Sequence, residues 1–283
     1  MSQRRKPKFG QNFLVDDRAR HAIVDALGDL STRTVLEIGP GHGALTEILA
    51  ERAQLLIAVE LDPALAAELT FRFRNHSNVT VIQADILEAN LDALVTHSQT
   101  LDVIGNLPYY ITSDILLKLF ETSLVSTPPA DTAQQTSSAS TRLRRAVLMM
   151  QREVADRVSA HPGVRDYGML SATTQMYAEV HNLFTLPPSA FSPPPDVHST
   201  VLRLQFAPRF DELRVDPSGF TRFLRLCFAQ KRKTLANNLR AGGFPDQSVH
   251  RVWPAEISPM ARAETMSLEG MAALYRALGA TSV

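Results

Sequence analysis

The sequence predicts an α/β protein: a mostly parallel, seven-stranded sheet covered by helices, followed by a small all-helical domain. Three observations carry this. Apolar, β-rich runs alternate with helical patterns over residues 1–206. Those runs are apolar throughout rather than alternating, as strands buried on both faces are. After Ala207 the pattern is helical only. With 283 residues and 45% apolar content, the chain can hold one large and one small domain around a sizeable core.

The elements follow in order. TVLEIG (34–39) is a strand and HGALTEILAER (42–52) a helix. LLIAVEL (55–61) is a strand and PALAAELTFRF (63–73) a helix. VTVIQAD (79–85) and LDVIGN (101–106) are the third and fourth strands. SDILLKLFE (113–121) is a helix whose first residue, Ser113, suits an N-cap. AVLMMQ (146–151) is a fifth strand, and REVADRV (152–158) continues it as a helix. VHNLFTL (180–186) and TVLRLQF (200–206) are two more strands, separated by the proline-rich loop PPSAFSPPPDVHS. Residues 220–241 read as one amphipathic helix, with Leu224, Phe228, Leu235 and Leu239 on one face and Arg222, Arg225, Arg232 and Arg240 on another. Residues 124–145, poor in apolar residues and rich in Ser, Thr, Gln and Pro, read as a flexible loop without assigned chemistry.

Formal net charge is zero but unevenly spread. Met1 to Lys8 carries Arg4, Arg5, Lys6 and Lys8 and no acid, while residues 207–283 carry 11 basic and 7 acidic residues. Both ends are thus basic and the middle acidic, a pattern suited to a polyanion touched at both ends. Charge alone favours the plainer reading, a solvated tail and ordinary surface residues. The lone cysteine, Cys227, excludes an internal disulfide and a thiolate zinc cluster, fits a reducing compartment, and has core packing as its default role. No metal site is expected. The basic start is not followed by a sustained apolar segment, and no run reaches transmembrane length, so the expected location is the cytoplasm, without a membrane partner.

The chemistry concentrates at successive strand ends. EIGPGHGA (37–44) leaves the first strand and opens a helix, and Gly39, Gly41 and Gly43 let the backbone turn sharply and approach a ligand closely. Alone, this turn is ambiguous: Gly39, Gly41 and Ala44 also satisfy a dinucleotide fingerprint, with Glu60 as the ribose acid. Glu60 ends the second strand and Asp85 the third. A Glu can accept both ribose hydroxyls and an Asp an adenine amino hydrogen, so three strand ends in register would line one nucleoside. Asn106 ends the fourth strand and opens the turn NLPY. An exocyclic aromatic amine is a poor nucleophile because its lone pair is delocalised. The Asn106 amide oxygen and the carbonyl of Leu107 or Pro108 can accept its two N–H bonds, favouring the charge-developing nitrogen. Pro108 stiffens the turn, and Tyr109 can stack on an extruded base. This arrangement suits amine methylation, and the cofactor that fits is S-adenosylmethionine.

The chain closely resembles the small-subunit ribosomal RNA adenine dimethyltransferase family. The resemblance spans nearly its whole length and rests on KFGQNFL (8–14), LEIGPGHGALT (36–46), VELD (59–62), AD (84–85), GNLPYYIT (105–112), VLMMQREVADRV (147–158), FSPPPDVHSTVLRL (191–204) and FAQKRKTLANNL (228–239). It implies a Rossmann-like class I methyltransferase domain over 1–206 and a helical RNA-binding domain over 207–283. It implies that Asn12, Leu14, Gly39, Gly41, Glu60, Asp85 and Asn106 bind S-adenosylmethionine. Asn106, Leu107, Pro108 and Tyr109 would hold the target adenine, with Phe191 packing on the base from the other side. Arg4, Arg5, Lys6, Lys231, Arg232 and Lys233 are the expected RNA contacts. The implied reaction is dimethylation of the 6-amino groups of two neighbouring adenines in the 3′-terminal hairpin loop of 16S rRNA, on a small-subunit precursor, by a monomer. Two features depart from the family pattern. His42 stands where an apolar or small polar residue is usual and reads as a surface-loop histidine. The 124–145 loop is longer than expected, and disorder is the preferred reading over an RNA contact through Arg142, Arg144 and Arg145. Two other functions compete: a 23S rRNA adenine methyltransferase of the erythromycin-resistance type, and a non-catalytic ribosome assembly or RNA-binding factor.

Overall fold

The computed structural model describes residues 11–94, 100–124, 142–244, 253–254, 257–258 and 260–279. The chain forms two compact units, one of Met1–Ala155 and Val180–Phe206, the other of Asp156–Glu179 and Ala207–Val283. The break expected at 206/207 is therefore accompanied by an earlier excursion, 156–179, into the second unit.

In chain order the first unit begins with β1 (Phe13–Leu14), α1 (Asp17–Asp25), β2 (Thr34–Ile38), α2 (Thr46–Arg52), β3 (Leu55–Glu60), α3 (Pro63–Arg72) and β4 (Val79–Gln83). It continues through α4 (Leu91–Leu94), β5 (Leu101–Asn106), α5 (Thr112–Ser123) and β6 (Leu143–Gln151), which runs directly into α6 (Arg152–Ser159). After α7 (Met169–Tyr177) come β7 (Ala178–Leu186), β8 (Phe191–Ser192) and β9 (Ser199–Phe206). Seven strands form one sheet in the order β4-β3-β2-β5-β6-β9-β7. The pairs β3–β4, β2–β3, β2–β5 and β5–β6 are parallel, and β6–β9 is antiparallel. Sequence order reverses between β2 and β5, the switch point beyond which open α/β sheets bind ligands. A second, two-stranded sheet pairs β1 antiparallel with β8.

The local causes are legible. Strand β2 is wholly buried, as are β3 beyond its first residue and β5 up to Asn106, so their apolar runs meet helices on both faces. Helix α3 starts at Pro63, whose missing N–H costs nothing at a first position, and Asp62 caps it by accepting the Ala64 N–H at 2.8 Å.

Three expectations are corrected. Helix α5 begins at Thr112, and its N-cap position falls on Ile111 with no side-chain cap, so Ser113 is not the cap. The Thr112 hydroxyl instead donates to the Pro108 carbonyl at 2.9 Å. Strand β6 starts at Leu143, three residues earlier than expected, because Leu143 is buried and its arginine neighbours find partners. Arg144 pairs with the buried Asp102, and Arg145 donates to the Leu27 carbonyl at 2.7 Å and to the Gln205 side chain at 3.2 Å. Arg144 and Arg145 thus serve the sheet rather than a loop, while 125–141 lie outside the described residues.

The third correction concerns residues 220–241, which form two helices, not one: α9 (Pro217–Cys227) and α10 (Leu235–Ala241), after the short α8 (Phe210–Leu213). Between them, Thr234 caps α10 by accepting the Asn237 N–H at 3.3 Å. The buried Asn238 amide donates to the carbonyls of Cys227 at 2.7 Å and Gln230 at 3.1 Å, satisfying acceptors that a continuous helix would have used. In this second unit Phe220, Phe223 and Tyr275 pack ring on ring at 5.3–6.1 Å, and Tyr177 packs on Phe210 at 5.1 Å. The Ala207 and Arg209 N–H groups donate to the carbonyls of Tyr177 and Met176, which is why α7 belongs to this unit. Cys227 is buried in it, as its default role required.

Candidate active site

The carboxyl ends of β2, β3, β4 and β5 open on a cavity of about 460 Å³, within the roughly 300–1,000 Å³ typical of small-molecule sites. Its wall contains Asn12, Leu14, Gly39, Gly41, Glu60, Asp85, Asn106, Leu107, Pro108 and Tyr109. Ten of the residues singled out from sequence therefore meet in one place.

The glycine turn is built for close approach. Gly39, Gly41 and Gly43 have φ of 64°, 59° and 83°, a region that side chains disfavour. A Cβ on Gly41 would also stand 3.0 Å from the Phe13 ring. Glu60, 3% exposed, fixes the turn: one carboxylate oxygen accepts the Gly41 N–H and the other the Asp62 N–H, both at 2.9 Å. Each oxygen keeps a lone pair for a further donor. Asp85 accepts the Leu87 N–H through Oδ1 at 2.8 Å, and Oδ2 has no hydrogen bond among the described residues.

Asn106 and the turn after it supply acceptors. The Asn106 Nδ2 donates to the Asn12 carbonyl at 2.9 Å, and its Oδ1 makes no hydrogen bond among the described residues. The Pro108 carbonyl already accepts the Ile111 N–H at 3.2 Å and the Thr112 hydroxyl at 2.9 Å, whereas the Leu107 carbonyl has no protein donor among the described residues. Of the two carbonyls considered from sequence, Leu107 supplies the free one and Pro108 stabilises the entry to α5. Tyr109 is half-buried and shares a 2.8 Å hydrogen bond with Ser199, and burial pushes its phenol pKa up, so it stays neutral.

Phe191 departs from expectation. It is 3% exposed, absent from the cavity wall, and packed in the core cluster with Leu14, its backbone partner across β1–β8. Its backbone partner Leu14 stands in the cavity wall. His42 is exposed, at the cavity edge, its ring 4.4 Å from that of Phe13 and its Nδ1 3.4 Å from the Glu68 carboxylate. Lys231, Arg232 and Lys233 are exposed in the turn between α9 and α10, and Arg4, Arg5 and Lys6 lie outside the described residues.

Two features were not anticipated. Glu37, in the cavity wall and 1% exposed, has its pKa raised to about 8 by burial; the Thr46 hydroxyl at 2.7 Å works against this and Glu60 adds to it. A lone acid inside an apolar strand was the available signal. Arg20 and Arg72 brace the glycine turn, donating to the Ala44 and His42 carbonyls at 2.7 and 2.9 Å while sharing Glu47 at 2.6 and 3.1 Å. No local sequence signal announces a brace drawn from three helices.

A mostly parallel sheet with a glycine turn, a strand-end acid and an Asn-Leu-Pro-Tyr turn around one cavity defines a Rossmann-like methyltransferase. The family model for ribosomal RNA adenine dimethylases matches residues 2–278. The chain is 53% identical over 279 residues to a ribosomal RNA small subunit methyltransferase A of Acidobacterium capsulatum, covering 98% of this chain and 93% of that one. It is 47% identical to one of Koribacter versatilis, covering 97% and 94%. A dimethyladenosine transferase from Plasmodium falciparum shares the fold at TM-score 0.71 and 22% identity, covering 94% of this chain and 98% of that one. The 23S rRNA methyltransferase ErmE does so at 0.66 and 24%, covering 95% and 100%. The chain belongs to the ribosomal RNA adenine dimethylase family.

Proposed function

We propose that this enzyme transfers methyl groups from S-adenosylmethionine to the 6-amino groups of two adjacent adenines in the 3′-terminal hairpin loop of 16S rRNA, during small-subunit biogenesis and as a monomer. One observation carries the reading at the level of chemistry: the Asn106 Oδ1 and the Leu107 carbonyl, both without a protein donor among the described residues, stand together at the cavity. Two acceptors suit the two hydrogens of an aromatic amine. The 16S assignment is supported by relatives at 53% and 47% identity whose names specify the small subunit.

The donor set fits the cofactor. Glu60 offers lone pairs to ribose hydroxyls, Asp85 an oxygen to an adenine amino group, and Gly39 and Gly41 backbone without side-chain obstruction. Asn12 and Leu14 close the cavity from the N-terminal side. When bound, S-adenosylmethionine supplies a methyl group on a sulfonium, open to direct displacement. Asn106 and Leu107 hold the amine in line, and their acceptors bond more strongly as positive charge grows on nitrogen. Tyr109 stacks on the extruded base. A strong general base is unnecessary, because the amine proton becomes acidic once the methyl has added and passes to solvent. Lys231, Arg232 and Lys233 contact RNA phosphates.

The test is methyl transfer from labelled S-adenosylmethionine to small subunits from a strain lacking the modification, with large subunits in parallel and nuclease digestion of the product. Dimethyladenosine confined to small-subunit RNA is the expected result. Label in large-subunit RNA would move the target to 23S rRNA, and small-subunit binding without label would leave an assembly factor.

A further inference from the structure

The second unit has a cavity of its own, of about 240 Å³, bounded by α6, the 165–169 segment, the 227–231 turn and the 263–264 segment. Tyr167 and Phe228 stand edge to face in its wall with ring centroids 6.0 Å apart, beside Met169 and Cys227. The Tyr167 hydroxyl is buried with no hydrogen-bond partner among the described residues, a costly condition for a polar group. Arg157, Arg165 and Lys231 stand in the same wall, all exposed. Among the described residues neither guanidinium has an ion pair or a side-chain hydrogen bond. Lys231 spends one donor, on the Arg165 carbonyl at 2.9 Å.

The size is informative. A whole cofactor needs roughly 300–1,000 Å³, so this cavity takes a fragment presented by something larger. Its chemistry is mixed. A bare anion would meet Asp166 and Glu264, which also line the wall, as well as the cations. A nucleotide uses all of these: its base lies against the aromatic and apolar wall, its ring N–H groups find the carboxylates, and its phosphates find the arginines.

We propose that this cavity receives one unstacked nucleotide of the substrate RNA, anchoring the strand independently of the methyl-transfer cavity. The proposal rests on the RNA-substrate reading above. It differs from a basic surface patch in requiring an unpaired base.

The experiment is fluorescence anisotropy of the full chain with a short labelled single-stranded RNA and a duplex of equal length. Two variants are used: Arg157→Ala/Arg165→Ala, and Met169→Trp, which fills the cavity and leaves the cations in place. Both are expected to lose about tenfold in single-strand affinity, while Met169→Trp binds the duplex as the unaltered chain does. S-adenosylmethionine affinity is measured alongside and is expected to be unchanged, and thermal unfolding followed by circular dichroism certifies that the second unit of each variant is folded. Equal losses on single strand and duplex by Met169→Trp, or no loss by either variant, would overturn the pocket. So would displacement of the RNA by low concentrations of free nucleoside monophosphates, in favour of a small-molecule site. The assay reads no methyl transfer, so a wrong 16S assignment would leave its result intact.

Discussion

The Asn106 side-chain amide donates to the backbone carbonyl of Asn12, 94 residues earlier, at 2.9 Å. One residue thus ties the N-terminal segment to the end of β5 and, through its other amide atom, presents an acceptor to the cavity. Asn106→Ala is expected to lower turnover by about 10²–10³, the cost of removing a transition-state interaction, with a smaller loss of cofactor affinity from the released Asn12. Single-turnover kinetics and cofactor titration separate the two. Unchanged turnover would sink the assigned role.

Gly105 precedes Asn106 where β5 presses on β2, and a Cβ there would stand 2.7 Å from the Ile38 carbonyl oxygen. Backbone cannot swing aside as a side-chain tip can. Gly105→Ala should therefore cost about 1–3 kcal/mol of stability and, by shifting Asn106, a larger share of turnover than of RNA affinity. Denaturant unfolding and steady-state kinetics check both.

The Thr112 hydroxyl occupies the Pro108 carbonyl. Thr112→Val should cost about 1 kcal/mol of stability and leave turnover near its original value, because in the proposed arrangement Leu107 supplies the amine acceptor. A rise in turnover on freeing Pro108 would return that role to the Pro108 carbonyl.

Burial raises the Glu37 pKa from 4.5 to about 8. Between those values the folded chain holds a proton that the unfolded chain releases, so this group's contribution to stability falls as pH rises through the window and levels off above it. Glu37→Gln should flatten the pH dependence of the melting temperature between about 4.5 and 8. A slope identical to that of the unaltered chain would show that Glu37 ionises normally.

Neutralising Lys231, Arg232 and Lys233 together should weaken small-subunit RNA binding and flatten its salt dependence, by about 0.7–0.9 of a log–log unit for each phosphate left without its cation. Titrations at several salt concentrations give the slope, and an unaltered slope would place these residues away from phosphate.

The strand ends bearing Gly39, Glu60 and Asn106 were legible because buried parallel strands are written as apolar runs, and the residue that stops the run marks the end; β4, a partly exposed edge strand, stops at Gln83, two residues before Asp85. What the sequence concealed depends on partners remote along the chain. Asn238 divides the 220–241 segment by bonding Cys227 and Gln230, yet helical periodicity runs through it unbroken. Phe191 carries the same aromatic signal whether it faces a base or a core, and what separates the two is its burial in the core cluster, away from the cavity lining. What occupies the Pro108 carbonyl and leaves that of Leu107 without a donor among the described residues is the Ile111 N–H and the hydroxyl of Thr112, next to the Ser113 that local pattern favours as the cap.

The pairing of β1 with β8 has a consequence for biosynthesis. The glycine turn, the acids and the NLPY turn all lie before residue 110, but β1, which carries Leu14 into the cavity wall, is paired with Phe191 and Ser192. A nascent chain with only its first half exposed from the ribosome has every polar group of the cavity and lacks the clasp that closes it. The β1–β8 sheet is therefore completed late in translation, when Phe191 and Ser192 have emerged, and until then Asn106 is a contact that holds the N-terminal segment at the cavity.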